Sequence, residues 1–229
     1  MNSRAFIAIL PLILSPVAAA FADKNVELFN GKDLSGWTKR GGAASYAIED
    51  GVIVGRSAPD TENTFLTTNE DYGDFVLELE FKIDPTNFNS GVQIRSHSRP
   101  ENDHERVYGY QVEIDTEADR AWTGGIYFEG GSKDAGGNWV RKAGWLHDLS
   151  NNEAARKARR PGEWNHFKIR AQGRRIQTWL DGVPAADFTD TDDEAFTPSG
   201  FIALQVHSVG NSRDTKEVRW KNIKLTILE

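Results

Sequence analysis

Cysteine is absent from the 229 residues. That excludes a disulfide scaffold, a thiol nucleophile and a cysteine-ligated zinc or iron–sulfur centre. Positive charge is in deficit: 27 Lys+Arg face 34 Asp+Glu, for a net −7. A protein that grips phosphate backbones needs a basic face, so no nucleic-acid partner is expected. Long apolar runs are also missing. The one candidate, 5–14, is interrupted by Pro11 and followed by Pro16, and falls short of the roughly 20 residues a membrane span needs. Arg4 before this run and Ala20-Phe21-Ala22 after it describe a secretory signal peptide over 1–22. No cysteine follows that would carry a lipid, so 23–229 is expected to be an exported chain, secreted or periplasmic, with no membrane anchor. What the chain does have is aromatic residues: seven Trp, twelve Phe and five Tyr. They supply material for one sizeable core in a single domain.

Period-two patterns dominate. Residues 74–83 read D-F-V-L-E-L-E-F-K-I, which places Phe75, Leu77, Leu79, Phe81 and Ile83 on one face of a strand. Asp50-Gly51 and Asp181-Gly182 centre hairpins over 46–55 and 175–188, because Asp-Gly tolerates the positive φ of tight turns. Further strands are predicted at 90–97, 109–116, 124–129, 166–171, 200–208 and 218–228. Short strands between Gly, Asp, Asn and Pro turns predict an all-β fold: a two-sheet antiparallel jelly-roll sandwich. One short helix is predicted over 152–160, stopping before Pro161. Its bases, Arg156, Lys157, Arg159 and Arg160, read as a solvated face.

The residues opposite the apolar ones carry the chemistry. Alternation sets Gln93, Arg95 and His97 against Val92 and Ile94. It sets Gln111, Glu113 and Asp115 against Tyr110, Val112 and Ile114, and Gln205 and His207 against Leu204 and Val206. Tyr127 and Glu129 share one side of a fourth strand. If these strands share a sheet, alternate residues about 7 Å apart on strands about 4.8 Å apart make a floor on the scale of a sugar ring. Amides, carboxylates, a guanidinium and an imidazole there suit hydroxyl recognition and proton transfer. A hydrated sheet face is the plainer reading of any one of these residues; their recurrence in phase favours a site. Trp122, Trp139 and Trp145 lie in turn-rich segments, where a ring either stacks on a sugar or packs under its loop. Trp37, Trp164, Trp179 and Trp220 fall in apolar patterns and are expected in the core. His104 and His166 are expected at the surface, and His147 at a cleft rim.

The strings F-N-G-K-D-L-S-G-W (29–37), N-S-G-V-Q-I-R (89–95), G-Y-Q-V-E-I-D (109–115), T-G-G-I-Y (123–127), G-E-W-N (162–165), W-L-D-G-V-P (179–184), G-F-I-A-L-Q-V-H (200–207) and V-R-W-K-N-I (218–223) occur in order. Together they resemble the 3-keto-disaccharide hydrolase domain family over nearly all of 23–229. There are two departures. Many members carry Glu where Gln111 stands and Gln where Glu113 stands, and 132–140 reads as an insertion near the cleft. The resemblance implies a concanavalin A-like jelly roll that cleaves 3-keto-glycosides or oligosaccharides by elimination, with hydration completing a net hydrolysis. The C3 ketone acidifies the C2 proton, and the resulting enolate expels the C1 substituent. On that chemistry His207 is the expected base, since imidazole ordinarily titrates near neutrality. Arg95 is expected to stabilise the enolate, and Glu113 or Tyr127 to protonate the leaving group. Asp115, Gln111, Gln93, Gln205, Trp122 and Trp145 are expected to bind or orient substrate. A divalent cation on Glu113, Asp115 and His207 is an alternative electrophile.

Two other functions fit parts of the sequence. E-I-D-T-E (113–117) resembles the catalytic strand of lichenase- and laminarinase-type glucanases, with Glu113 and Glu117 as a retaining pair about 5–5.5 Å apart. Their backbones would lie about 13 Å apart in an ideal strand. A non-catalytic carbohydrate-binding module would use the same fold and floor.

Overall fold

The computed structural model describes residues 24–86, 88–117 and 119–228; the expected signal peptide lies outside them. The first strands are β1 (Lys24–Glu27), β2 (Trp37–Gly41), β3 (Ser45–Glu49), β4 (Val52–Arg56), β5 (Thr64–Thr68) and β6 (Phe75–Ile83). A long hairpin follows, β7 (Ser90–Glu101) and β8 (His104–Ile114), then β9 (Ile126–Glu129), β10 (Ser132–Lys133), β11 (Trp139–Arg141) and β12 (Gly144–His147). Helix α1 (Glu153–Ala158) leads to β13 (Asn165–Gln172), β14 (Arg175–Leu180), β15 (Val183–Thr189), β16 (Phe201–Val206) and β17 (Glu217–Ile227). One sheet runs β15-β14-β13-β6-β17-β4-β3, with β1 also on β17. A second large sheet runs β12-β9-β8-β7-β16-β5-β2, and β10 and β11 pair apart from both as a two-stranded ribbon. Every pairing is antiparallel, so the expected two-sheet sandwich is the architecture. None of the described helices is long and apolar enough to cross a membrane.

Alternation builds the core. In β6 Phe75, Leu77, Leu79, Phe81 and Ile83 are all buried, and the residues between them, Val76 included, are half-buried on the other face. They meet Phe167 and Ile169 of β13 and Trp220 and Leu225 of β17, and face Val92, Ile94, Tyr110, Val112, Ile202 and Leu204 of the second sheet. Trp37 and Trp220 are in the core as expected. Trp164 and Trp179 are only half-buried, covered by Lys221 at 4.2 Å and Lys168 at 5.7 Å. Helix α1 falls inside the expected span, with Asn152 accepting the Ala155 N–H as its cap.

The largest departure from expectation is the β7–β8 hairpin, which continues to a tip at residues 102–103. The ladder pairs Ile94 with Tyr110 and then His97 with Tyr108, so Arg95 and Ser96 together oppose Gly109. This is a β-bulge, which bends and twists a hairpin. Gly109 is required: its φ is +140°, and a Cβ there would lie 2.4 Å from Ser96 Oγ. Past the bulge the arm crosses the outer face of its own sheet and reaches β2, where the Arg40 guanidinium donates to both Glu105 oxygens at 2.8 and 2.9 Å. Val107 of the arm packs with Phe65, Phe201 and Ala203 in a second, small apolar cluster. The polar outer face is therefore roofed over part of its length, and this positions the site.

Candidate active site

The bulge also decides which residues reach the floor. Strict alternation puts Gln93, Arg95 and His97 on one face, but the extra residue turns Arg95 away. The Arg95 side chain is fully buried and donates to Gly73 O (2.7 Å), Gly173 O (2.5 Å) and Asp74 Oδ1 (2.7 Å). It clamps the second sheet to the entry of β6 and the β13–β14 turn, and takes no part in the floor. His97 likewise stacks on Tyr108 at 5.9 Å rather than joining Gln93. Ser96 takes the vacated place.

A relay of side-chain hydrogen bonds then runs along the floor. Ser96 Oγ donates to Gln93 Oε1 (2.7 Å), Gln93 Nε2 to Gln111 Oε1 (2.7 Å), and Gln111 Nε2 to Glu113 Oε2 (2.8 Å). Asn89 Nδ2 donates to the other Glu113 oxygen. Gly91, the partner of Glu113 across the ladder, makes room for this relay. A Cβ at Gly91 would lie 2.4 Å from Gln111 Cδ. Gln93 and Gln111 are thus positioned to orient Glu113 rather than to meet a ligand. Gln205 is fully buried beside them, and neither its amide nitrogen nor its oxygen has a protein partner.

Glu113 opens into a hollow of about 380 Å³, lined also by Asn89, Gln111, Glu117, Arg120, Tyr127, Glu129, Trp145 and His207. A second hollow of about 560 Å³ adjoins it and shares Asn89, Glu117, Arg120 and His207. Burial pushes the Glu113 carboxyl up to about 7, helped by the charges of Asp115 and Glu129 and opposed by the two amide donors. A carboxyl poised near neutrality serves proton transfer in either direction. Burial and then the charges of Glu129 and Glu113 raise the Tyr127 phenol, which stays protonated as a hydrogen-bond donor. His207 Nδ1 lies 2.8 Å from Ser208 O. A carbonyl can only accept, so Nδ1 carries the proton and Nε2 is the basic nitrogen.

Asp115 is placed differently from expectation. Strand β8 ends at Ile114, and Asp115 becomes the anchor of the following loop. Its Oδ2 accepts from Arg120 Nε (2.8 Å) and the Trp122 N–H (3.0 Å). Its Oδ1 accepts from Arg120 Nη2 (3.1 Å) and the Glu117 N–H (3.0 Å). Burial pushes the carboxyl up, but these donors outweigh burial and hold it below the usual range. With four donors in place it is not available to a substrate hydroxyl. The same occupancy tests the divalent cation expected on Glu113, Asp115 and His207. Asp115 is filled by donors and both Glu113 oxygens accept amide protons, and no three carboxylate or imidazole groups converge among the described residues. The residues present do not fit that cation. The turn after Ile114 also breaks the single strand that the Glu113–Glu117 pair would need, leaving Glu117 exposed at the rim.

Of the expected aromatics, Trp145 lines the hollow and Trp122 backs it edge-on at 4.8 Å, half-buried against the core. The Arg120 guanidinium lies 5.8 Å from both rings. Arg120 is thus the cation of the hollow, the place expected of Arg95. His147 is half-buried but does not line the hollow. Sequence reasoning missed Arg120, Asn89 and Asn63. It saw Glu129 in phase with Tyr127 without giving it a role.

A sequence profile for the 3-keto-alpha-glucoside-1,2-lyase-like domain matches residues 24–226. The chain belongs to that family. Membership makes it a carbohydrate-active protein and agrees with the resemblance read from the sequence. Among curated proteins none matches the sequence. Similar solved structures include a candidate glycosyl hydrolase from Parabacteroides distasonis, 19% identical over 90% of this chain and 94% of that one, with a TM-score of 0.58. A carbohydrate-binding module from Bacillus subtilis is 18% identical over 82% and 94%, with a TM-score of 0.53. A Bacillus subtilis protein with a galectin-like fold is 12% identical over 90% and 96%, with a TM-score of 0.57. At these identities the likeness is one of fold, and the fold hosts both enzymes and binders.

Proposed function

We propose that this 3-keto-glucoside-lyase-family protein is an exported enzyme that cleaves 3-keto-glycosides by base-catalysed elimination, with water addition to the product giving net hydrolysis. The observation that carries the reading is one hollow in which His207, with its Nε2 basic, faces a buried carboxyl, Glu113, held near neutrality. A lectin needs neither. In this scheme His207 Nε2 takes the C2 proton. The Glu113 carboxyl, raised to about 7, donates to the C3 oxygen as the enolate forms, as neutral carboxyls do elsewhere. Arg120 supplies the fixed positive charge, and the indole of Trp145 offers a face for the sugar ring.

The test is to incubate the protein with a 3-keto-glucoside and with its unoxidised parent. Turnover of the keto-sugar alone, with an enone chromophore rising, is the expected result. Cleavage of an unoxidised β-glucan would instead favour a Glu113–Glu117 glucanase, and binding without turnover a carbohydrate-binding module.

Raising a buried carboxyl has a thermodynamic cost that can be measured. Glu113 is protonated in the fold up to about pH 7 but only to about 4.5 when unfolded. Its contribution is therefore most favourable below pH 4.5 and is lost as pH rises through 7. Glu113→Gln should stabilise the protein at pH 8 by about 3 kcal/mol and leave it nearly unchanged near pH 4.5, while turnover falls. The amide is accommodated because Asn89 Oδ1 is buried without a partner and can accept from it once Asn89 flips. Urea unfolding at the two pH values checks this; equal shifts at both would refute it.

A further inference from the structure

Glu113 or Tyr127 was expected to protonate the departing glycosidic oxygen, but Glu113 serves the C3 oxygen in this scheme and burial makes the Tyr127 phenol a weaker acid still, so that proton must come from elsewhere. We infer that Glu129 supplies it. This rests on the lyase reading and gives a role to a residue that the sequence pattern placed on the floor without assigning one.

Glu129 closes β9 on the same face as Tyr127 and lines the hollow with Glu113 and His207. Glu129 pairs across the ladder with Gly109, whereas Glu113 lies beside Gly125. That offset of four residues separates the two carboxyl backbones by about 13 Å, so they serve opposite ends of the hollow. Glu129 is 7% exposed. Its oxygen Oε1 receives Asn63 Nδ2 at 3.4 Å and stands 3.7 Å from Arg106 Nη2. Asn63 in turn accepts the Ser208 N–H at 2.9 Å, and Ser208 O holds the His207 ring. A single side chain therefore ties Glu129 to the residue that orients His207. In the elimination, the C2–H and C1–O bonds that break are on neighbouring carbons, so base and acid must be placed together. Glu129 and His207 are the pair so placed.

The charges facing Glu129 set its protonation. Burial raises it most, and the positive charge of Arg106, the nearby His207 ring and the Asn63 hydrogen bond oppose this without cancelling it. Arg106 is partly drawn off by Glu62, 3.6 Å away, and Tyr127 and Glu113 complete the surroundings. The step balances. The C2–H pair becomes the enolate and its proton goes to His207 Nε2. The C3 oxygen returns to Glu113 the proton it took, C1=C2 forms and the C3 ketone is regenerated, the C1–O bond breaks with its electrons on oxygen, and that oxygen takes the Glu129 proton. The imidazolium then returns a proton to Glu129.

Two leaving groups separate this role from a structural one. 4-Nitrophenyl 3-keto-glucoside departs as a stable anion and needs no acid, whereas methyl 3-keto-glucoside does. Glu129→Gln should lower kcat/KM on the methyl substrate on the order of 10²-fold more than on the nitrophenyl substrate. Wild-type protein gives a second measurement that does not depend on the variant folding: kcat/KM on the methyl glycoside shows a further alkaline limb, beyond the one that Glu113 gives with both substrates, that the nitrophenyl glycoside lacks. Equal losses on both substrates, or identical alkaline limbs, overturn the assignment of Glu129 while leaving the lyase reading intact. No turnover of either keto-glycoside by wild type overturns the lyase reading, and the assignment with it.

Discussion

His207→Ala should lower kcat on a 3-keto-glucoside roughly 10³-fold, toward the upper part of the range for losing a positioned general base, with KM changed little. The imidazole is partly exposed at the end of β16, and its one protein hydrogen bond is to its neighbour's carbonyl. Truncation therefore removes a proton acceptor without emptying the core, and the unfolding midpoint should stay near wild type. Added imidazole should restore part of the rate, because the vacated place opens to two hollows. A variant that keeps near-normal kcat would hand the base role to another group. Glu113 would be the first candidate, since burial raises its carboxyl to about 7.

The fold was legible because its signals are local and repeated. Phe75, Leu77, Leu79, Phe81 and Ile83 alternate without interruption, and every one is buried. The floor was legible only as far as alternation holds. Gln93, Gln111, Glu113 and Gln205 share the expected face because the rungs from Ser90 to Ile94 pair regularly with Ile114 to Tyr110. One extra residue at 95–96 then reverses the phase, and nothing in G-V-Q-I-R-S-H announces it; the signal lies on the partner strand, in Gly109. Asp115 failed for a related reason: its parity was right, but the strand had ended. Arg120, Asn89 and Asn63 were invisible because loops bring them in, and loop placement follows from tertiary hydrogen bonds such as those to Asp115. Short-range pattern thus finds the sheet face, whereas the groups that tune its acids come from outside the pattern.

Arg95 gives this its sharpest experimental form. As an enolate stabiliser it would be dispensable for folding. As found, it is a fully buried cation joining the two sheets, with donors on Gly73 O, Gly173 O and Asp74. Arg95→Ala would strand two carbonyls that lose charge-assisted hydrogen bonds, and would leave a cavity where a long side chain was packed. Asp74 keeps the Gly173 N–H and is 39% exposed, so its own stranding adds little. The backbone offers only partial relief, because Arg95 sits at φ +47° and alanine is no more at ease there. The expected loss is about 3 kcal/mol of stability, a fall in Tm on the order of 10 °C. Below the new transition, KM and kcat should hold near wild type. The opposite pattern, a stable fold with turnover lost, would return Arg95 to the chemistry and remove Arg120 from it.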